Sequence, residues 1–297
     1  MQRVSDYHHV NGLRLFVHRF HDPTAVPSGL TLLLVHGFMD AGATWDLVAS
    51  RLVRAGHEVI APDMRGFGES DRVGSGGYYH FPDYVADLSM LVDALAPARL
   101  GLVGHSMGGT ISALFAGARP TRVERLALLE GLGPPSSPSG AALDRMRAWL
   151  ADLRAMEKNG RKERPLASLQ EAVERLARRH PKVAREVIES RARMLTRPDE
   201  QGMLRWAHDA LHRTTAPVPF NAEIFGGFLS QITCPTLLVS GGLEGFNGDE
   251  HAARGALIPN ATALDLPDAG HMMHWTTPEA LAAALLTFFG EEPKASV

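Results

Sequence analysis

The stretch Gly104-His105-Ser106-Met107-Gly108 places a serine between two glycines, directly after the apolar run at residues 100–103. The residues that follow, 110–116, are typical of a buried helix. A serine at such a strand-to-helix turn has a strained backbone, and its neighbours two positions away need almost no side chain. The pattern therefore predicts a turn that exposes the Ser106 hydroxyl as a nucleophile, with the N-terminus of the helix directed towards it.

A second apolar run, at residues 32–35, ends in His36-Gly37-Phe38. The glycine lets the chain turn at the strand end, so that the backbone N–H of Phe38 can face the serine. Together with the N–H of Met107, the Phe38 N–H would form a hole for the oxyanion of a tetrahedral intermediate. Each such donor contributes about 3 to 4 kcal/mol to the stabilisation of the transition state in a dry site.

The candidate base lies far downstream of the serine, on a predicted loop. Residues 262–266 are predicted to form the last strand, and the loop after it ends in Ala269-Gly270-His271. At the end of a strand, an imidazole can take the proton from Ser106 and return it to the leaving group. His271 is therefore the candidate general base.

Five ordered segments of the chain resemble the pattern of the α/β-hydrolase superfamily, and within it the serine-hydrolase-like carboxylesterases. They are spread over nearly the whole length: residues 35–38, 61–70, 104–108, 234–241 and 269–271. The resemblance implies a mostly parallel sheet flanked by helices, with a Ser-acid-His triad at the carboxyl ends of the strands. It also implies a helical cap, usually inserted after the sixth strand.

Two glutamates at predicted strand ends are candidates for the acid of such a triad. Glu244 follows Ser240-Gly241-Gly242-Leu243, where most members of the family carry the acid, and Glu130 directly follows another strand, where some members place it. Either carboxylate could accept the Nδ1 hydrogen of His271 and stabilise the imidazolium. Loop position favours Glu244, with Glu130 as the alternative and Asp249 third.

The order of strand and helix patterns predicts the domain organisation. Asn11-Gly12, between two extended runs, indicates an opening β-hairpin, and strand and helix patterns then alternate. A Pro/Ser/Gly-rich linker interrupts the alternation and opens a helix-rich segment. We therefore expect a hydrolase core of residues 1–133 and 231–297 and a helical cap, or lid, at residues 134–230. The many charges of the cap are expected on solvated helix faces rather than at a ligand site.

The composition is compatible with one α/β domain. The 297 residues are 45% hydrophobic, and the net charge of −3 gives no reason to expect nucleic acid or an anionic membrane as a partner. The single Cys234 cannot form an internal disulfide and is expected to be a buried thiol. Neither an apolar signal segment nor a run of transmembrane length occurs, so we expect a cytoplasmic protein; a homodimer is left open.

A serine nucleophile favours acyl transfer to water through an acyl-Ser106 intermediate. Haloalkane dehalogenases and epoxide hydrolases of this fold use a carboxylate nucleophile instead. Epoxide opening also relies on cap tyrosines, and all four tyrosines of this chain precede the cap. The sequence thus predicts a carboxylic ester hydrolase. A lactonase, a thioesterase, a C–C bond hydrolase and a ligand-sensing receptor with residual hydrolysis are the alternatives.

Apolar and aromatic residues flank the catalytic positions, and they predict an uncharged ester with hydrophobic groups of small to medium size. The candidate substrate contacts are Met39, His105, Met272 and Trp275. No cofactor is predicted. A metal site is not predicted either, because His271 and His274 have no second cluster with ligand spacing beside them. The expected partner is a small molecule.

Overall fold

The computed structural model of the chain describes residues 1–138, 140–158, 160, 164–245 and 249–290, except for the side chain of Glu244. The strands within these residues are β1 (Gln2–Val10), β2 (Leu13–His21), β3 (Thr31–Val35), β4 (Glu58–Pro62), β5 (Leu100–His105), β6 (Arg125–Leu129), β7 (Thr196–Pro198), β8 (Leu204–Trp206), β9 (Thr236–Ser240) and β10 (Ala261–Asp265). Eight of them form one sheet in the order β1-β2-β4-β3-β5-β6-β9-β10, and β7 and β8 form a separate ribbon.

The large sheet is parallel from β4 to β10 and antiparallel at one edge. Each neighbouring pair among β4, β3, β5, β6, β9 and β10 is parallel. β1 and β2 form an antiparallel hairpin, and β2 pairs antiparallel with β4. The hairpin turn is Asn11-Gly12, where both residues have positive φ. The mostly parallel sheet and the opening hairpin predicted from the sequence are confirmed.

Helices lie on both faces of this sheet. The helices of the described ranges, including those of the segment at residues 134–230, are α1 (Asp46–Arg54), α2 (Phe81–Leu95), α3 (Met107–Ala118), α4 (Ala141–Lys158), α5 (Leu169–Arg179), α6 (Arg185–Met194), α7 (Ala222–Leu229), α8 (Asp249–Gly255), α9 (Met273–Thr276) and α10 (Pro278–Gly290). None of the helices in the described ranges is long and apolar enough to cross a membrane.

Alternate side chains of each central strand enter opposite cores. In β3, Leu33 and Val35 belong to one core with α2, α3 and α7, whereas Leu32 and Leu34 belong to the other with α1 and α10. Strands that are buried on both faces have to be apolar throughout. This burial explains the continuous apolar runs of the sequence. Because the strands are parallel, their carboxyl ends, which carry the candidate site residues, lie on the same side of the sheet.

Residues 134–230, the cap segment, contain α4 to α7 and the ribbon of β7 and β8. α5 and α6 build a small core of their own, which includes Leu176 and also the side chain of Trp275. The last helix differs from the expectation for this segment. Phe225 and Leu229 of α7 pack in the core against α3, because their apolar face has no other surface to cover it, so α7 is part of the main body.

An ion pair between a buried arginine and a partly exposed aspartate joins the cap segment to the main body. Arg191 of α6 is only 1% exposed, and its Nη2 lies 2.7 Å from Oδ1 of Asp46, the first residue of α1. The guanidinium also lies over the ring of Trp275, 5.9 Å from its centroid. A buried charge without a partner is costly, so this pair stabilises the position of α6 beside the helix that follows His271.

Cys234 lies two residues before β9 and is buried, as predicted. Burial raises the pKa of its thiol to about 11. The reactive thiolate is therefore a minor species at neutral pH, which agrees with a structural thiol.

Candidate active site

Ser106 occupies a sharp turn between β5 and α3, with φ 52° and ψ −116°. A Cβ atom on Gly104 would lie 2.5 Å from the backbone oxygen of Gly108, and one on Gly108 would lie 2.3 Å from the oxygen of Val35. Both positions therefore require glycine. The second contact also places the first turn of α3 against the end of β3, where the sequence predicts an oxyanion loop.

His271 lies within hydrogen-bonding distance of the serine. Its Nε2 is 3.1 Å from Ser106 Oγ, although the two residues are 165 positions apart. The Nδ1 atom of the same ring lies 3.7 Å from Oε2 of Glu130. A carboxylate can only accept hydrogen, so a hydrogen on Nδ1 would suit this neighbour and would leave Nε2 available to accept the hydroxyl hydrogen of Ser106.

Glu130 follows β6 directly and is held in place by its surroundings. Its carboxylate is fully buried, and its Oε1 accepts a hydrogen bond from the Gly241 N–H. The backbone of Glu130 has φ 53°. Positive φ is costly for a non-glycine residue and is concentrated at functional sites. Five non-glycine residues of the described ranges have positive φ, and three of them are Met39, Ser106 and Glu130. These three follow the carboxyl ends of β3, β5 and β6.

The two other acidic candidates are placed differently by the structure. The backbone of Glu244 ends a short 3-10 turn after β9, but its side chain lies outside the described part of the chain. Asp249 begins α8 and is exposed. Loop position favours Glu244, whereas the observed carboxylate beside Nδ1 belongs to Glu130. β6 and β9 are neighbouring parallel strands, so both glutamates follow strand ends on the same side of the sheet, and both stay candidates for the acid.

The candidate oxyanion loop is oriented by His36. The Met64 N–H donates to Nε2 of His36 over 2.9 Å, so the other ring nitrogen carries the hydrogen and donates to the Gly37 oxygen over 2.7 Å. In a trans peptide the C=O and N–H groups point in opposite directions. His36 therefore directs the Phe38 N–H away from its own ring. A Cβ on Gly37 would lie 3.2 Å from that of Ser106, so this peptide lies beside the nucleophile.

A buried polar cluster lies behind His271. His105 Nε2 donates to the backbone oxygen of His271 over 2.7 Å, and His274 Nε2 lies 2.9 Å from Oδ2 of Asp40. Burial would raise the pKa of Asp40, but the hydrogen bonds from His274 and Thr44 outweigh it and hold this pKa at about 2. Burial, followed by the nearby His274, lowers the pKa of His105 well below its usual range. His105 is therefore a neutral donor.

Asp40, His105 and His274 could supply metal ligands, since their donor atoms lie within 4.8 Å of one another. However, His105 is already engaged. Its Nε2 is bonded to His271, and its Nδ1 lies against Gly37, where a Cβ would approach to 2.7 Å. The geometry fits a hydrogen-bonded cluster that supports the loop of His271.

A cavity of about 680 Å³ opens above Ser106 and His271. The predicted substrate contacts Met39, His105, Met272 and Trp275 all line it, together with Phe38. The opposite side comes from the cap segment, and its lining includes Arg175, Arg179, Lys182 and Arg213. These charges were expected on solvated faces. Helix periodicity alone does not show that the loop after α5 is folded over the active site.

The family model of the alpha/beta hydrolase fold matches residues 31–278. The chain belongs to this family. The match includes the loop of His36, the serine turn, Glu130 and the loop of His271, and it spans the cap segment as well. The α/β-hydrolase fold predicted from the five sequence segments is confirmed.

Relatives of this hydrolase-fold chain differ in the length of the match. A serine hydrolase-like protein of Danio rerio is 32% identical over 155 residues, which are 52% of this chain and 47% of that protein. A 3-hydroxybutyrate-oligomer hydrolase of Cupriavidus necator is 29% identical over 293 residues, 93% of each chain. The chain spans about half the length of several curated relatives that it matches. Among solved structures, the thioesterase domain from the curacin biosynthetic pathway is 26% identical, with a TM-score of 0.84 over 97% of this chain and 100% of that chain.

Two features of this hydrolase-fold site were not predicted from the sequence. One is the pairing of Asp40 with His274, which are 234 positions apart. The other is the bond of His105 to the loop of His271, since His105 was interpreted as a substrate contact alone. The spacing of His271 and His274 was considered only as a metal-binding pattern, which was not predicted to be a site, and it gave no signal for a carboxylate partner.

Proposed function

We propose that this chain is a serine hydrolase that cleaves carboxylic esters of small to medium hydrophobic substrates through an acyl-Ser106 intermediate. The observation that carries the proposal is the 3.1 Å contact of Ser106 Oγ with His271 Nε2 at a strained strand-to-helix turn. A serine held in this way beside a base is the arrangement that activates a hydroxyl for attack on a carbonyl.

In the first half-reaction, His271 Nε2 takes the Ser106 proton while Oγ forms a bond to the carbonyl carbon. The carbonyl electron pair moves to oxygen, and this oxyanion accepts hydrogen bonds from the N–H groups of Phe38 and Met107. Collapse of the intermediate breaks the bond to the alcohol oxygen, which leaves with the proton from His271. The products of this half-reaction are the alcohol and the acyl-Ser106 ester.

In the second half-reaction, water replaces the alcohol. His271 takes one proton from the water as its oxygen bonds to the acyl carbon, and the same two N–H groups stabilise the second oxyanion. The bond to Ser106 Oγ then breaks, and Oγ regains the proton from His271. The acid is released, and the free serine is restored.

For the acid of the triad we propose Glu130, and Glu244 is the alternative. The support is the buried Glu130 carboxylate 3.7 Å from His271 Nδ1, together with the bond from the Gly241 N–H that orients it. A carboxylate at this position stabilises the imidazolium that forms in both half-reactions. The cap segment, on this proposal, excludes water from the cavity and adds to substrate binding.

Thioester cleavage is a second candidate. The likeness to a thioesterase domain over nearly the full length of both chains favours it, and a thioester passes through the same oxyanion. The oligomer hydrolase of Cupriavidus necator, which also matches over nearly the full length, supports an oxygen ester. Oxygen esters and thioesters of the same acyl groups separate the two candidates by kcat/KM.

The test is a series of p-nitrophenyl esters of increasing acyl length, with Ser106→Ala as the control. We expect turnover that the substitution abolishes, and covalent labelling of Ser106 by a fluorophosphonate. A folded protein that neither turns over the esters nor reacts with the probe contradicts the proposal. Ligand-induced thermal stabilisation without turnover indicates the receptor instead.

A further inference from the structure

His180 follows the last residue of α5 and lines the cavity together with Ser106 and His271. Both of its backbone groups are engaged. Its N–H donates to the Leu176 oxygen over 2.8 Å, and its oxygen accepts from the Val183 N–H over 3.1 Å. Among the residues that the structure describes, none forms a hydrogen bond with the ring of His180. The two ring nitrogens are therefore available to an occupant of the cavity.

The ring of His180 is held against Trp275, which also lines the cavity. The two rings pack edge to face, with 5.2 Å between their centroids. Trp275 is buried in the small core of α5 and α6, and it belongs to the short helix that follows His271. This contact places the imidazole of His180 beside the loop that carries the candidate base.

The imidazole of His180 is uncharged at neutral pH. Burial, followed by repulsion from Arg179, lowers its pKa to about 4. The charges of Asp40 and His271 also affect this pKa, which agrees with a ring that faces the catalytic loop. A neutral imidazole offers one N–H donor and one acceptor nitrogen. A hydroxyl can bond to either nitrogen, since it both donates and accepts.

Several other polar side chains of the lining are engaged within the protein. The Thr276 hydroxyl donates to backbone oxygens of its own loop, and His105 Nε2 donates to the His271 oxygen. Arg175 pairs with Glu171 over 2.5 Å. The ring of His180 differs from these groups, because no described residue uses its hydrogen-bonding capacity.

An occupant that fills the cavity removes solvent from the imidazole. If an apolar group replaces the solvent, the donor and the acceptor of the ring are left unpaired, which lowers affinity. A polar group of the occupant restores the hydrogen bond. A site of this kind discriminates against an analogue that lacks the polar group.

We propose that His180 is a specificity-determining residue, which hydrogen-bonds a hydroxyl group of the substrate while the scissile carbonyl lies at Ser106. This inference rests on the proposed function and narrows its substrate class to hydroxylated esters. The substrate stays an uncharged ester, as the sequence predicts. His180 lies in the cap segment, far from the catalytic positions in the chain, and it enters the site only through the fold.

Pairs of esters that differ in one hydroxyl test the proposal. On the acyl side, p-nitrophenyl 6-hydroxyhexanoate and 3-hydroxyhexanoate are compared with the heptanoate and the 3-methylhexanoate, in which a methyl group replaces the hydroxyl. On the alcohol side, 2-hydroxyethyl and 4-hydroxybutyl butyrate are compared with propyl and pentyl butyrate. In wild type we expect the hydroxylated member of at least one pair to have a kcat/KM about 10-fold higher, mostly through KM. Because no charge is involved, the preference should not depend on salt.

Substitutions assign the preference to His180. His180→Phe keeps a ring against Trp275 but removes both hydrogen-bonding atoms, so it should lose the preference and still hydrolyse the apolar members. His180→Gln, whose amide donates and accepts, should keep part of the preference. His21→Phe is the matched control, since His21 is also half-buried and is outside the lining.

Three outcomes overturn the proposal. The first is an equal kcat/KM within every pair in wild type. The second is a preference that survives in His180→Phe. The third is an equal loss of kcat/KM for both members of a pair in His180→Phe, which shows a structural role alone.

A binding measurement keeps the inference separate from the proposed function. The Ser106→Ala variant cannot form an acyl intermediate, so titration calorimetry measures its affinity for the intact esters. It should bind the hydroxylated member of at least one pair about 10-fold more tightly, and the double variant Ser106→Ala, His180→Phe should bind both members equally. If wild type turns over none of the esters, the proposed function fails, but this difference in affinity should persist. Equal affinities within every pair contradict the role of His180, whether or not wild type hydrolyses the esters.

Discussion

His105 donates its Nε2 hydrogen to the backbone oxygen of His271 over 2.7 Å. The residue directly before Ser106 thus holds the main chain of His271, so the position of His271 depends on the same turn that positions Ser106. His105 is buried and neutral, and Asp40 and His274 pack behind it. We infer that His105 is a positioning residue as well as a part of the cavity lining.

The substitution His105→Phe removes this hydrogen bond and keeps a ring of similar size. We expect kcat to fall by about 10- to 100-fold with little change in KM, because a base displaced by about 1 Å loses alignment with the hydroxyl. His105→Gln, whose amide can donate from nearly the same point, should recover part of the loss. A lower stability with an unchanged kcat per folded molecule would show that His105 has a structural role alone. Circular dichroism measures the stability, and active-site titration gives the number of folded active sites.

Glu130→Gln and Glu244→Gln form a matched pair that assigns the acid. If Glu130 stabilises the imidazolium, Glu130→Gln should lower kcat by about 10³- to 10⁴-fold, since the amide can impose the wrong His271 tautomer. Glu244→Gln should retain most of the activity. Steady-state kinetics on one p-nitrophenyl ester measures both variants. A large loss of kcat in Glu244→Gln with little loss in Glu130→Gln would identify Glu244 as the acid.

His36→Phe tests the oxyanion loop. The Gly37 oxygen loses its donor, so the Gly37–Phe38 peptide is free to rotate and its N–H is no longer directed at the intermediate. We expect kcat to fall by about 10- to 100-fold at similar KM, somewhat less than the loss of a whole donor. His57→Phe is the control, because His57 is also buried and hydrogen-bonded, to Ser28, but lies outside the site. Similar kcat values for the two variants would contradict the role of His36.

His212 should make stability depend on acid pH. Its ring is stacked between Phe67 and Tyr79, with centroids 4.0 and 3.9 Å away, and its Nε2 bonds to the Tyr84 hydroxyl over 2.7 Å. Burial, followed by the charge of His208, lowers its pKa from 6.5 to about 3. Below about pH 6.5 the unfolded chain therefore binds a proton that the folded chain does not, and the free energy of unfolding falls as the pH falls towards 3.

Urea unfolding at several pH values between about 4 and 7.5 measures this effect. His212→Phe retains the stacking but cannot titrate, so its free energy of unfolding should decline less steeply with falling pH than that of wild type. The variant is expected to be less stable at neutral pH, because the Tyr84 hydroxyl loses its partner. Parallel pH curves for the two proteins would exclude His212 as the titrating group.

Arg191→Met should weaken the attachment of the cap segment. The substitution leaves Asp46, whose side chain is 23% exposed, without its cation, and we expect about 1 kcal/mol of lost stability. The double variant Arg191→Met, Asp46→Ala should be more stable than the single variant, since no carboxylate is then left without a partner. Thermal unfolding of wild type, both single variants and the double variant completes the double-mutant cycle. Losses of stability that add up would show that the two residues do not interact.

Local signals were sufficient for the sheet and for the serine turn. The apolar run before Gly104 and the glycines around Ser106 have steric requirements within a few residues, and the Asn11-Gly12 turn is equally local. Contacts between loops that are far apart in the sequence could not be predicted from such local signals. Glu130 and Glu244 follow neighbouring strands, so either could be predicted to meet His271. The Glu130 carboxylate lies 3.7 Å from Nδ1, and the choice of acid stays a prediction.

The cap segment was the least predictable part for the same reason. Helix periodicity shows which face of α5 is apolar, but it does not show the direction of the loop after α5. That direction depends on the position of α6, which Arg191 links to Asp46. The arginine and lysine residues that line the cavity therefore could not be recognised from the sequence alone. α7, within the segment expected to form the cap, packs against α3, and the sequence could not indicate this because an amphipathic helix in a cap and one on the core have the same pattern.

The candidate site residues come from four strand ends that lie far apart along the chain: His36 after β3, Ser106 after β5, Glu130 after β6 and His271 after β10. β10 is the edge strand, and it docks only on β9. Catalytic activity is therefore a reporter of the finished topology, since no contiguous fragment short of that span carries all four groups. During refolding, activity should return with the slow docking of the last strand and not with the early formation of local helices.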